Sequence, residues 1–260
     1  MAIYQNGSIY FACSRILEDY GIKHGFFMRH GGCSPEPWKS LNLATSVGDS
    51  KENVMENRRR LFHAINLPSD AVFDVWQVHS SEIIIPKRKR KIGEPHKKAD
   101  AILTDQKDFS LLMLFADCVP ILFYDPSNNV IGITHAGWKG TVNKIVLDVV
   151  KRMKVHFGTK TKDIISVIGP CIDVEKYQVG DEVIRLAGEA FKNCIGVLIE
   201  KKNGWYMNLR LANNLLLEST GINKIENMDI STASNTDDWF SHRQEYGKTG
   251  RFGAVISLMD

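Results

Sequence analysis

Two short stretches each carry one soft, metal-competent side chain at the end of an apolar run. In the first, Leu112-Met-Leu-Phe-Ala-Asp-Cys-Val-Pro120, the thiol of Cys118 follows Asp117 and precedes Pro120. A carboxylate that interrupts an apolar run needs a partner or an opening onto a cavity. Pro120 cannot donate a ladder hydrogen bond and marks a bend or a strand edge. A bulge there would aim the thiol out of the sheet. In the second, Ile131-Gly-Ile-Thr-His-Ala-Gly-Trp-Lys-Gly-Thr141, His135 ends a β-branched run and Gly137 and Gly140 follow. A helical pattern then opens near Thr141, where free N–H groups could meet an anion.

His79 is the third candidate, brought to the same place by an extended run over 72–78. Period two puts Gln77 and His79 on one side of that run. Taken singly, each of the three is more often a packed core residue. Their separations, 39 and 17 residues, carry no spacing signal. As a set they suit Zn²⁺, because two imidazoles and a thiolate leave one coordination position open, as in catalytic zinc sites. Such a position suits the activation of water near neutral pH. Copper accepts the same donors. Cys118 and His135 are thus the candidate catalytic pair, with Asp117 as a candidate proton shuttle.

Further candidates surround the trio. Arg29, just before His30-Gly31-Gly32, could bind an anion. Trp138 could wall a pocket. Arg243 lies in a polar loop suited to substrate binding or gating. Gln77 and Asn42 complete the substrate- and anion-binding candidates, although Asn42, like Asp100, Gly169-Pro170 and Tyr177, is more often structural.

The elements that must position these groups follow from periodicity. Residues 3–12 read as an opening hairpin around Gly7-Ser8, and 16–22 as a short turn or helix. Helices are predicted over 51–66, capped by Asp49 or Ser50, and over 141–157, 181–190 and 209–219. Strands are predicted over 25–29, 72–78, 100–104, 110–115, 119–124, 130–134, 164–168, 197–199, 205–207, 225–230 and 254–258, with 81–86 extended. Asp125-Pro-Ser-Asn-Asn129 is a turn signal, and 232–250 reads as a polar loop. Strands and helices intermix without strict alternation, which predicts an α/β (α+β) sandwich, a mixed sheet flanked by helices, in a single domain over 1–260.

Composition bounds the possibilities. The chain has 260 residues, 43% hydrophobic and 24% charged, the proportions of a globular domain with a substantial core. No apolar run reaches the ~20 residues of a membrane span, and the N-terminus lacks a signal-peptide order; a cytoplasmic protein without membrane contact is expected. Five widely spaced cysteines form no C-x-x-C pair, which argues against a zinc ribbon, a redox pair or a disulfide scaffold. Seven Lys/Arg and one acid fall in 86–98; outside it 26 basic residues face 29 acids. That local charge reads as a solvated loop rather than a nucleic-acid surface, since no interleaved aromatics accompany it.

Six motifs together resemble the YfiH-like family: Trp76-Gln-Val-His79, Ala99-Asp-Ala-Ile-Leu-Thr-Asp105, Ala116-Asp-Cys-Val-Pro120, His135-Ala-Gly-Trp138, Gly169-Pro-Cys171, and Phe240-Ser-His-Arg243 with Thr249-Gly-Arg251. The resemblance runs from about Gly25 to Leu258. Members of that family have been called laccase-domain proteins or polyphenol oxidases, peptidoglycan editing factors, and purine nucleoside phosphorylases. The resemblance implies a zinc site from His79, Cys118 and His135 in an α/β sandwich. It also implies phosphorolysis of adenosine, inosine and methylthioadenosine, with adenosine deamination. Arg29 matches the arginine of the family's Thr-Arg-x-Gly-Gly motif and Arg243 its C-terminal arginine. The chain departs at Met28 and Phe115, where Thr is usual, at Ser231 in place of Cys, and at His242 and Gln244 in place of Tyr and Arg.

Eight histidines and no H-x-H pair speak against a multicopper oxidase. The expected partners are a purine nucleoside and phosphate, and the expected state is a monomer. Two other classes stay open: a metal-free Cys118–His135 hydrolase acting on cell-wall precursors, and a non-catalytic protein that binds nucleic acid through the basic loop.

Overall fold

A computed structural model describes residues 1–91, 93–192 and 194–258. Ile92, within the basic segment, and the final residues of the expected 1–260 domain, Met259 and Asp260, lie outside the described residues, as does Asn193.

The chain opens with a hairpin, β1 (Ala2–Asn6) and β2 (Ile9–Cys13), turned at Gly7 with φ 60°. A short helix α1 (Arg15–Asp19), capped by the Ser14 hydroxyl, leads to β3 (Lys23–Phe27). Helix α2 (Lys51–Ala64) starts where Ser50 Oγ accepts the Asn53 N–H at 3.1 Å. Then follow β4 (Val72–Phe73), β5 (Ile83–Ile84), β6 (Ala101–Thr104), β7 (Ser110–Phe115), β8 (Val119–Asp125) and β9 (Val130–Ala136). After β9 come α3 (Trp138–Val142), α4 (Ile145–Phe157) and β10 (Ile165–Ile168). The remainder is β11 (Gln178–Val179), α5 (Asp181–Ala190), β12 (Leu198–Lys201), β13 (Gly204–Met207), α6 (Leu209–Ser219), β14 (Lys224–Asn227) and β15 (Phe252–Ser257).

The fold is a mixed α/β sandwich whose strands lie in two six-stranded sheets rather than one. The first runs β1-β2-β3-β15-β7-β4 and the second β14-β10-β8-β9-β6-β5, with a small third sheet β11-β13-β12. Both large sheets are antiparallel except at edges, where β4, β5 and β14 pair in parallel. Alternation along β8 shows the layering: Leu122 and Tyr124 face the core between the sheets, while Val119, Ile121 and Phe123 face helices α4 and α6. Each such buried side chain contributes about 1.5–3 kcal/mol. Helix α2 covers the outer face of the first sheet through Leu61 and Phe62. Among the described residues no helix is long and apolar enough to cross a membrane.

Two expectations change at the elements that flank the site. The strand predicted over 72–78 ends at Phe73; beyond it the backbone bridges only at Trp76–Lys98 and reaches His79 in the left-handed region, φ 58°. His79 and Gln77 therefore do not share a strand face. The helix predicted over 141–157 begins earlier and breaks: Lys144, at φ 61°, separates α3 from α4. Periodicity carried through that break because both pieces bury the same apolar face.

Candidate metal centre

The ligand atoms of His79, Cys118 and His135 all lie within 4.8 Å of one another. Cys118 Sγ is 3.8 Å from His79 Nε2, and the two imidazole rings meet edge to face at 4.8 Å between centroids. His135 belongs to β9, on the side of Ile131 and Ile133 that faces the core between the sheets. Its ring is buried, Cys118 is half-buried and His79 exposed, so the group sits at the open end of the sandwich. Phe115 packs its ring 5.5 Å from His135.

Asp100 orders the cluster. Fully buried before β6, it accepts the His135 Nδ1–H at 2.8 Å, which leaves Nε2 as the ligating nitrogen. The same carboxylate accepts the backbone N–H groups of Val78, His79 and Ser80 and the Ser80 hydroxyl. It thus holds the left-handed turn that presents His79. Burial would raise its carboxyl, but His135 and the Ser80 donors outweigh that and hold it below the usual carboxylate value. Gly137 leaves room for the cluster: a Cβ there would lie 2.9 Å from both Cys118 Sγ and His79 Cδ2.

Cys118 and His135 act on each other through charge. Burial pushes the thiol up and the imidazole down, yet each partner's charge reverses the effect. The thiol ends below its ordinary value and the imidazole above its own, helped by Asp100. An arrangement that stabilises a thiolate beside two imidazoles, one oriented by a carboxylate, fits a soft divalent ion. Among the described residues this is the one such group of three His, Cys or acidic side chains.

Two cavities flank the cluster and share His79, Ala116, Cys118 and His242 as a common wall. One, about 380 Å³, is lined by Trp138, Lys139, Tyr177 and Arg243. The other, about 360 Å³, reaches Arg58, Asp74, His96 and Arg251. Asp74 is buried and bonds Arg58 at 2.9 Å, Arg90 at 2.6 Å and His96 at 3.1 Å. The basic segment is thereby folded back onto the protein, with Lys89 on Asp70 and Arg88 on Glu94.

The structure brings some of the sequence candidates to this place and not others. Trp138 and Arg243 line the first cavity; Arg243 lies 5.0 Å over the Tyr177 ring and donates to Gln178 O. Gln77 lines the second, but its amide is spent on both backbone groups of Leu114, as an added strand would be. Asp117, at φ 86°, gives its carboxylate to the Thr232 hydroxyl and the Arg243 backbone N–H, tying the polar loop to the site. Arg29 lines neither cavity; it pairs with Glu245 at 3.0 Å and lies over the Phe240 ring. Asn42 is buried and accepts the Arg251 backbone N–H at 2.9 Å.

Three residues stand out that side-chain type alone did not rank: Asp100, His242 and Arg251. Asp100 carried a usable signal, a carboxylate opening the apolar run 101–103. His242 and Arg251 carried none beyond their place in the closing motif.

The family model described as multi-copper polyphenol oxidoreductase laccase matches residues 23–259. A relative from Bacillus subtilis named "Purine nucleoside phosphorylase YlmD" is 33% identical over 246 residues, spanning 91% of this chain and 88% of that protein. One from Deinococcus radiodurans named "Purine nucleoside phosphorylase" is 34% identical over 242 residues, spanning 91% and 89%. The crystal structure of YlmD from Geobacillus stearothermophilus superposes with a TM-score of 0.91 at 30% identity, covering 99% of both chains.

Proposed function

From the membership of this chain in the laccase-domain family, and from its similarity to proteins named purine nucleoside phosphorylases, we propose that it is a metal-dependent purine nucleoside phosphorylase. The observation that carries the reading is the convergence of His79, Cys118 and His135 within 4.8 Å, between two cavities that meet at Cys118. The substrates are adenosine, inosine and methylthioadenosine with phosphate, and adenosine is also deaminated at C6.

His79, Cys118 and His135 would hold Zn²⁺, with copper the alternative their donor set accepts. The bound ion would supply a Lewis acid with an open coordination position. Asp100 keeps the His135 proton on Nδ1 and fixes the His79 turn. Trp138 and Tyr177 offer aromatic faces to the base, beside the Arg243 guanidinium. Asp117 acts as a positioning residue, holding Arg243 by its backbone. In phosphorolysis a phosphate oxygen attacks the ribose anomeric carbon, the glycosidic C–N bond breaks, and the base departs with its electron pair and takes up a proton. A single three-ligand group among the described residues supports this reading over the multi-centre chemistry of a multicopper oxidase.

The Cys118–His135 charge pair supports a second reading, a thiol hydrolase acting on cell-wall precursors. Product analysis separates the two. Adenosine and inosine are incubated with protein of measured metal content, with and without phosphate, and products are resolved by chromatography. Free base and ribose 1-phosphate should form only with phosphate, and His135→Ala should abolish turnover while the fold is kept. Turnover indifferent to chelators but lost on thiol alkylation would replace the first reading with the second.

A further inference from the structure

We propose that Arg251 is the phosphate-binding residue of this site and that the 360 Å³ cavity is the oxyanion subsite, opposite the aromatic cavity that takes the nucleoside. The inference deepens the phosphorylase reading and rests on it for the identity of the anion.

Arg251 starts the approach to β15 as a half-buried guanidinium. It donates to the carbonyls of Thr249 and Gly250 and lies 3.5 Å from His242 Nδ1. Among the described residues no carboxylate lies within ion-pair distance of it, unlike Arg29, which has Glu245, and Arg58, which has Asp74. Burial presses against its charge more than Cys118, Asp117 and Glu245, all beyond ion-pair distance, support it. A guanidinium taken from water without a counter-ion is costly, so it marks a place where an anion is expected. Its planar fork suits two oxygens of a tetrahedral oxyanion.

The rest of the cavity agrees in charge. The one buried carboxylate of this wall, Asp74, is bonded to Arg58, to His96 and, from behind, to Arg90, which leaves Arg251 as the lining guanidinium without a carboxylate within ion-pair distance among the described residues. The Thr45 and Ser46 side chains line the same cavity. The position of Arg251 is also set with care. Asn42 holds its backbone N–H, and Gly250 before it lies so close to Phe240 and Asn42 that a Cβ would come within 2.7 Å and 3.0 Å of them.

The two cavities join at His79, Cys118 and His242. Phosphate from the Arg251 side and nucleoside from the Trp138 side would meet there. The attacking oxygen and the departing base then lie on opposite sides of the anomeric carbon.

The test measures binding of inorganic phosphate to the metal-loaded protein, by calorimetry, in the absence of nucleoside. Arg251→Gln should weaken phosphate binding tenfold or more and raise the KM for phosphate, with the KM for inosine within about twofold. Lys154→Gln, exposed in the last turn of α4 and lining neither cavity, serves as a control with unchanged affinity. Should Arg251→Gln fail to fold, Arg251→Lys keeps the charge but loses the fork, and a drop of threefold or more supports the assignment. Unchanged phosphate affinity in either folded variant overturns it. Because binding is read without turnover, phosphate that binds through Arg251 to a protein inactive on nucleosides upholds the subsite while removing the phosphorylase reading.

Discussion

Asp100 accepts the Nδ1–H of His135 at 2.8 Å and the backbone N–H of His79 at 3.0 Å through the same oxygen. One buried atom therefore sets both the tautomer of one candidate ligand and the backbone turn of another. Asp100→Asn keeps the shape but removes the charge and can offer an amide N–H to Nδ1, which moves the imidazole proton to Nε2. Metal affinity should fall about 10–100-fold, the usual cost of losing such a support. Chelator competition checks this, and wild-type affinity in the variant would show that Asp100 serves the fold alone.

Gly137 is glycine because of space, not backbone freedom, since its φ of −72° suits any residue. Gly137→Ala places a methyl 2.9 Å from Cys118 Sγ and His79 Cδ2. The expected cost is about 1–3 kcal/mol of stability from overpacking, together with weaker metal binding. Denaturant melts combined with metal analysis measure both, and a variant that keeps its metal would mean the cluster can shift to make room.

Cys118 should distinguish itself from the exposed Cys33 by reactivity. Its thiol is pulled below the ordinary value, ~8.5 for a free cysteine, so at pH 7 chelator-treated protein carries more thiolate there. Iodoacetamide at pH 7 should label Cys118 before Cys33 in chelated protein, and metal loading should suppress that labelling. Mass spectrometry of the modified peptides reads the order; equal labelling with and without metal would remove Cys118 from the ligand set.

Asp74 supports the second cavity through charge. Burial alone would raise its carboxyl, but His96, Arg58 and Arg90 hold it well below the usual carboxylate range. A depressed folded value contributes stability that is fully present above the unfolded value, ~3.9, and is lost as pH falls below it. Asp74→Asn leaves two guanidiniums unpaired and should cost about 3–5 kcal/mol at pH 7. The gap to wild type should narrow as pH falls below about 4. Urea melts at pH 7 and pH 3 test this, and a gap independent of pH would show that the loss comes from packing.

Much of the fold was legible because strands and helices bury one face each. The apolar alternation of 119–124 and 130–134 and the helical stripes of 51–66 and 209–219 all became the elements their periods predict. The turn at 125–129 followed from its own chemistry, with Asp125 accepting the Ser127 N–H at 2.9 Å. Period two does not say which sheet a strand joins, so two sheets could not be told from one. Nor could the route of 74–79 be read, because side-chain hydrogen bonds from Asp100 and Gln77 replace the ladder there.

The sequence by itself determined the candidate ligands, since only a few side chains bind soft metals and each of the three ends an apolar run or follows an extended one. It also determined the mixed α/β class. Tertiary structure decided that these three atoms meet, that Arg29 is paired with Glu245, and that Arg251 stands beside a cavity with no carboxylate within ion-pair distance among the described residues. Those outcomes depend on contacts between residues far apart in the chain, Asp100 with His135 and Asn42 with Arg251. Local periodicity carries no record of such pairings, because it reports which face of an element is buried and not what lies against it.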